Sequence, residues 1–378
     1  MLRSRQLAIP PVLSRRRSLA SFATARPSAA RGRSALIPHA FGQSAPWSVG
    51  LEEELFALDA ESLSPAPFPR QHLDGKRLKA ELFAAVVELN TGICDSVTEA
   101  VAELAELRAE AKERAAEAGL VLAAAGTWPT AVSEEQPITE DEGYRRFVEY
   151  AGSSARRQYC SGLHVHIGIQ SPDACMAVLE AVLPWLPLVL AVSTNSPYVA
   201  GRETGLASAR AEILALLPRS GAPPVFGSYA EWEAFAERLL ALGLADEYTR
   251  IWWDIRPHPR YGTLEIRMPD QPTRLEATAA VASLVHALVR GSDATGRADR
   301  GAYAENRWAA LRFGRAARLI HPDGDRLATV ADLLDELAGR LGNGVVEPAR
   351  SLDQGGDQLE LGRAEGLQSL CRRLVELT

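Results

Sequence analysis

Three short stretches of this chain each hold two charged or metal-capable side chains, two residues apart, inside an otherwise apolar run. Residues 47–56 read Trp-Ser-Val-Gly-Leu-Glu-Glu-Glu-Leu-Phe, 162–169 read Gly-Leu-His-Val-His-Ile-Gly-Ile, and 262–268 read Gly-Thr-Leu-Glu-Ile-Arg-Met. Successive side chains of a strand point to opposite faces. As strands, the stretches pair Glu52 with Glu54, His164 with His166 and Glu265 with Arg267, one face each, while Glu53, Val165 and Ile266 point the other way. Neighbouring carboxylates repel unless a cation or a proton neutralises them. Alone, the acidic stretch reads equally as a solvated edge strand, where charge blocks unwanted pairing. Three such stretches together predict a sheet with one face on a core and one lining a cavity. Carboxylates and imidazoles on one face suit a divalent cation such as Mg²⁺ or Mn²⁺. An arginine among them suits phosphate or carboxylate.

With 378 residues, 47% hydrophobic and 24% charged, the chain can bury a large core in one or two domains. The longest apolar run, 185–192, is too short to span a bilayer, so no membrane partner is expected. Cys94, Cys160, Cys175 and Cys371 form no Cys-x-x-Cys pair, which predicts neither a zinc finger nor a disulfide framework and favours a reducing, cytoplasmic setting. Only three of the 41 basic residues are lysines (Lys76, Lys79 and Lys112), and none sits in a P-loop or close in sequence to the three motifs. Phosphate chemistry here would rest on arginine and metal. Residues 1–45 hold eight arginines and no Asp or Glu, as organelle transit peptides do, but Pro10, Pro11 and Pro27 interrupt any amphipathic helix. A disordered extension over 1–45, or a start assigned too far upstream, is expected ahead of a catalytic domain over 46–378. That remainder carries 33 basic against 48 acidic side chains, a formal charge of −15, which argues against a nucleic-acid partner.

Between the motifs the chain reads as helices and loops. Glu81 and Glu88 share a face if 79–94 is helical and oppose each other if it is a strand; 86–90 reads as either. Ser96 with Glu99 caps a helix stopped by Gly119, and 120–126 is a short strand. Residues 140–154 read as a helix, and Ser171-Pro172 opens another, broken near Pro184 and Pro187. Ser228 with Glu231 caps a helix ending near Gly243, and Thr273 with Glu276 caps one ending near Gly291. Residues 303–320, 329–342 and 362–377 read as helices, and 194–211, with Arg202 and Arg210, as a functional loop. The prolines of 251–260 forbid a central strand there. Asp254 and Arg256 read either as site residues or as a structural ion pair, and Trp252 and Trp253 as core. Clustered strands with long helices between them, and no β-α-β alternation, predict an α+β fold with an antiparallel sheet.

Val-Gly-Leu-Glu-Glu-Glu (49–54), Gly-Leu-His-Val-His-Ile-Gly (162–168), Ser-Pro-Tyr (196–198), Trp-Asp-Ile-Arg-Pro (253–257) and Gly-Thr-Leu-Glu-Ile-Arg-Met-Pro-Asp (262–270) together resemble the glutamate–cysteine ligase type 2 family, the YbdK-type carboxylate–amine ligases. Residues 305–314 fit a later helix of that family, so the resemblance covers about 47–342. It implies a glutamine-synthetase-like fold, a curved antiparallel sheet with helices on one face and ATP and metal ions on the other. It implies Glu52, Glu54, Glu81 and Glu88 as metal ligands, and one of His164 and His166 with Glu265 as the nucleotide-side metal set. Arg267 and Glu265 would be catalytic, and Arg256, Arg210 and Arg267 would bind the nucleotide. ATP with Mg²⁺ or Mn²⁺, small amino-acid substrates and a homodimer are likewise implied. The implied reaction forms an amide through an acyl phosphate, from glutamate and cysteine or from another acid and amine. Trp128 stands where the family commonly has His, which bears on an acceptor-side contact. Judged by residues alone, His-x-His with carboxylates also fits a metal-dependent hydrolase. A non-catalytic assembly partner has no reason to keep so many repelling charges.

Overall fold

A computed structural model describes residues 37–292 and 298–378. Residues 1–36, which hold most of the expected extension, lie outside the described residues. The three motifs fold as strands β1 (Val49–Asp59), β5 (Leu163–Gly168) and β9 (Thr263–Ile266). With β2 (Leu78–Ala80), β3 (Val86–Asn90), β4 (Leu120–Ala123) and β8 (Ile255–His258) they form one seven-stranded antiparallel sheet, ordered β2-β3-β1-β5-β9-β8, with β4 beside the far half of β1. Residues 86–90 are therefore strand. Pro257 sits on β8 at the sheet edge, where a missing N–H costs no ladder bond.

The back of the sheet carries Leu51, Leu55, Val87, Leu89, Val165, Ile167, Leu264 and Ile266 into the main core. Helix α1 (Val97–Ala116), capped by Ser96 as expected, covers that face, as does the long helix Leu275–Arg290. Glu53 lands in this core, fully buried, because it has the parity opposite to Glu52 and Glu54. It is tolerated only through its partners. Arg108 of α1 grips it bidentately at 2.7 and 2.9 Å, and Gln271 and Thr278 donate to it at 3.0 and 2.6 Å.

Several local expectations change. Thr273 does not cap the Leu275–Arg290 helix; Arg274 is its first flanking residue, and Thr273 Oγ1 accepts from Asn195 instead. The 303–320 segment is helical only to Phe313, because Gly314 leaves at φ +51, and Arg318–Ile320 is strand. Gly366 (φ +83) splits the last helix into Gln354–Glu365 and Leu367–Leu377. Within 194–211 lie a small hairpin of β6 (Tyr198–Val199) and β7 (Arg202–Glu203) and the start of the helix Ala209–Leu214. The stretch Pro172–Ser193 is long and apolar enough to cross a membrane, but 83% of that window is buried inside the protein. It is a core element, interrupted at Leu183–Trp185 by a turn of 3₁₀ helix beside Pro184.

Residues 37–45 pack on the body. Ile37 and Phe41 are buried, Ile37 N–H donates to Glu233, and Ala40 N–H and Gly42 N–H donate to Pro259 and Ile169 carbonyls. Gly262 makes room for this segment: its φ is +65, and a Cβ there would lie 2.3 Å from the Ala40 oxygen. Deleting 1–45 should lower the melting temperature by several degrees more than deleting 1–36, since Ile37 and Phe41 each bury about 1.5–3 kcal/mol of side chain. Equal melts for the two truncations would contradict this packing.

Candidate active site

Register brings the motif side chains together. On the front of the sheet Glu52 opposes His164, Glu54 opposes Glu88, and Glu265 lies between His166 and Arg256. Directly opposed side chains sit within contact reach. They line a cavity of about 700 Å³ together with Lys79, Glu81 and Arg267. Glu81 follows β2 and Glu88 lies on β3, so the turn between these strands, rather than either periodicity, brings the two together. Oxygens of Glu54, Glu81 and Glu88 all lie within 4.8 Å of one another, as do donor atoms of Glu52, His166 and Glu265.

The electrostatics differ between the two groups. Burial pushes the Glu81 carboxyl well above its ordinary range, and the neighbouring Glu88 and Glu54 push it further. Burial also raises Glu54, against the pull of Arg210 and of the Gly162 N–H that donates to it at 2.6 Å. Burial alone would raise Glu52, but His166 and His164 overcome it and hold Glu52 well below the usual range. His164 Nδ1 lies 3.0 Å from a Glu52 oxygen. Burial pushes His164 down to about 4, whereas Glu52 and Glu265 outweigh burial at His166 and raise it. Burial is likewise outweighed at Glu265, which Arg256 and Arg267 hold well below the usual range.

This donor set suits divalent cations. Glu54, Glu81 and Glu88 offer hard oxygens that repel without a counter-charge, and the buried His164 and His166 Nε2 atoms have no hydrogen-bond partner among the described residues. His166 belongs to a donor group; His164 belongs to neither and holds Glu52.

The arginines separate by role. Arg267 gives Nη1 to Glu265, not to Asp270, and lines the cavity with a 19% exposed side chain. Arg256 also lines it, but its donors are taken by Glu265 at 2.6 and 3.0 Å and by the Thr249 and Ile251 carbonyls, both at 2.6 Å. It therefore braces Glu265. Arg210, expected at the nucleotide, is not among the residues lining this cavity. It is buried against Gly162 at the start of β5, donating to the Met268 and Arg267 carbonyls at 3.0 and 3.1 Å. Asp254 pairs with Arg307 and Tyr303 rather than with Arg256, and Trp253 is core. Trp128 is also core: it packs against Phe56, donates to the Leu63 carbonyl and does not line the cavity.

Sequence reasoning missed Lys79, His258 and Tyr261. β2 has only three residues, too few to show a period, yet its register sets Lys79 opposite Glu88. His258 stacks on Tyr261 with ring centroids 4.3 Å apart, on the cavity wall beside His166. Its place between two prolines hid the strand.

The fold is shared with solved structures. A glutamate–cysteine ligase from Francisella tularensis in complex with AMP superposes with a TM-score of 0.64 at 15% identity, covering 88% of this chain and 89% of that one. A bifunctional glutathione synthetase from Pasteurella multocida gives 0.61 at 13%, over 87% of this chain and 49% of that one. At the sequence level, Glutamate-cysteine ligase family 2 (GCS2) matches residues 48–368. "Putative glutamate–cysteine ligase 2-3" of Rubrobacter xylanophilus is 37% identical over 89% of this chain and 99% of its own length. "Putative glutamate–cysteine ligase 2" of Sorangium cellulosum is 36% identical over 77% and 82%. The chain is thus a carboxylate–amine ligase, an ATP-dependent enzyme that forms C–N bonds. It belongs to glutamate–cysteine ligase family 2.

Proposed function

We propose that the enzyme joins glutamate to cysteine through an amide, by way of an acyl phosphate, in the cavity on the front of the sheet. The observation that carries this reading is the row of carboxylates, histidines and Arg267 across strands β3, β1, β5 and β9, in a chain that matches a relative of this name over nearly its full length. A carboxylate is a poor electrophile. Attack of its oxygen on the γ-phosphorus of ATP releases ADP and leaves phosphate as a leaving group. Attack of the amine on the acyl carbon then releases phosphate and forms the amide. Bound Mg²⁺ would neutralise charge on the phosphate oxygens. Glu54, Glu81 and Glu88, and Glu52, His166 and Glu265, would hold such cations. Arg256 keeps Glu265 in place, His164 keeps Glu52 in place, and Arg267 faces the transferred phosphoryl group. No nucleophilic side chain is needed. Cys94, Cys175 and Cys371 are buried, and burial pushes the Cys160 thiol up to about 12.

Two measurements follow. Because only the folded state offers these donors, Mg²⁺ with ATP should raise the melting temperature well above either alone; no shift would remove the nucleotide site from this cavity. Lysine at position 267 keeps the charge but loses the forked donor geometry. Arg267→Lys is therefore expected to lower kcat by roughly 10²–10³ with a smaller change in KM for ATP. If Arg267 serves only its ion pair with Glu265, kcat will survive in Arg267→Lys and Arg267→Ala will instead lose stability.

A further inference from the structure

Lys79 is the ammonium that stands beside the carboxylates. Its Nζ lies 3.1 Å from Glu88 Oε1 and 2.6 Å from Asn90 Oδ1, and Asn90 Nδ2 donates to the same Glu88 oxygen at 2.8 Å. The Glu88 side chain is 10% exposed and that of Lys79 is 30%. Lys79 also borders a second cavity of about 630 Å³, which it shares with Glu52, Thr91, Arg260 and Tyr261. Its position contrasts with those of Arg108 and Arg256, whose guanidinium groups are locked by several acceptors each. A lysine is a compact charge on a flexible stem and can leave.

Resting on the metal-site reading above, we propose that Lys79 is a displaceable counter-charge: its ammonium occupies the Glu54–Glu81–Glu88 group through Glu88, competes with a divalent cation there, and turns toward the second cavity when the cation enters. Without it, the three carboxylates within 4.8 Å of one another would lose the ammonium held by Glu88, and Arg210 and Arg267 would act on the group only through Glu54. With it, the nucleotide-free protein takes up free cation weakly, and the group fills well only when nucleotide phosphates bring further negative charge. The competition is electrostatic: both cations are drawn to the Glu88 carboxylate, whose Oε1 Lys79 holds, and they repel each other across a few ångströms.

The test is Mn²⁺ titrated into the nucleotide-free, full-length protein, followed by the electron paramagnetic resonance of the free ion and by thermal melts. Lys79→Met is expected to bind Mn²⁺ at least about tenfold tighter than the parent, since a unit charge a few ångströms away outweighs 1.4 kcal/mol even in a partly hydrated site. It should also melt lower than the parent without metal and gain more from Mn²⁺. Lys79→Gln, which keeps a donor but no charge, should show the same tightening if Lys79→Met folds poorly, and Lys79→Arg should bind as weakly as the parent. A merely structural lysine would loosen the site, so affinity unchanged or weakened in both neutral variants, with Glu88→Gln still abolishing uptake, overturns the role of Lys79 alone. A parent protein whose Mn²⁺ uptake is indifferent to both Glu88→Gln and Glu54→Gln overturns the metal site and this proposal together.

Discussion

Replacing Arg108 with alanine is expected to destabilise the protein by about 3–5 kcal/mol, because it strands the Glu53 carboxylate in the apolar core behind the sheet. Glu53 is 0% exposed, and Arg108 supplies both of its charged hydrogen bonds. The same guanidinium also donates to the Pro272 and Thr273 carbonyls at 3.2 and 2.8 Å, so its loss frees the turn that follows β9. A thermal or denaturant melt of Arg108→Ala measures the effect. A double variant, Arg108→Met with Glu53→Leu, removes both charges and should recover much of the loss, since the larger cost lies in the unpaired ion. A melt of Arg108→Ala indistinguishable from the parent would mean that Glu53 is solvated or otherwise neutralised.

One residue further along, the expected effect is the reverse. Glu54→Gln should cut ADP formation by roughly 10²–10³ or more while the protein melts no lower than the parent at neutral pH. The sign follows from the direction of the shift. Burial raises the Glu54 carboxyl in the fold, so its ionisation costs stability as pH climbs from the unfolded value toward the folded one. Glutamine removes that cost and keeps an oxygen for the Gly162 N–H. Glu52→Gln should also abolish activity, but it should lose stability too. Its carboxyl is held low by His166 and His164, and that contribution is present above the unfolded pKa and disappears as pH falls through the folded one. Activity surviving in Glu54→Gln would remove the carboxylate group from the chemistry.

Much of this site was legible because strand parity is a strict rule. Glu52, Glu54, His164, His166, Glu265 and Arg267 each lie on the face that alternation assigns, and Glu53 lies on the other. What parity cannot give is register. Nothing in the spacing of 49–59 and 86–90 says that Glu54 meets Glu88, or that Lys79 on a three-residue strand joins them. Nor does a sequence show how an arginine spends its donors. The resemblance implies Arg210 and Arg256 as nucleotide ligands, and the structure adds hydrogen bonds from both to backbone carbonyls and from Arg256 to Glu265. The Thr273 cap failed for a similar reason: a tertiary partner, Asn195, took the hydroxyl that the local pattern had assigned to the helix.

The most direct test of the central claim is the release of ADP from ATP and Mg²⁺ by the purified enzyme across a panel of amino acids and amines. The account predicts ADP and phosphate in step with amide, only when an acid and an amine are both present, and fastest with glutamate and cysteine. A different best pair would keep the chemistry and replace the substrates. ADP release that needs neither substrate, or amide hydrolysis that needs no nucleotide, would contradict the account.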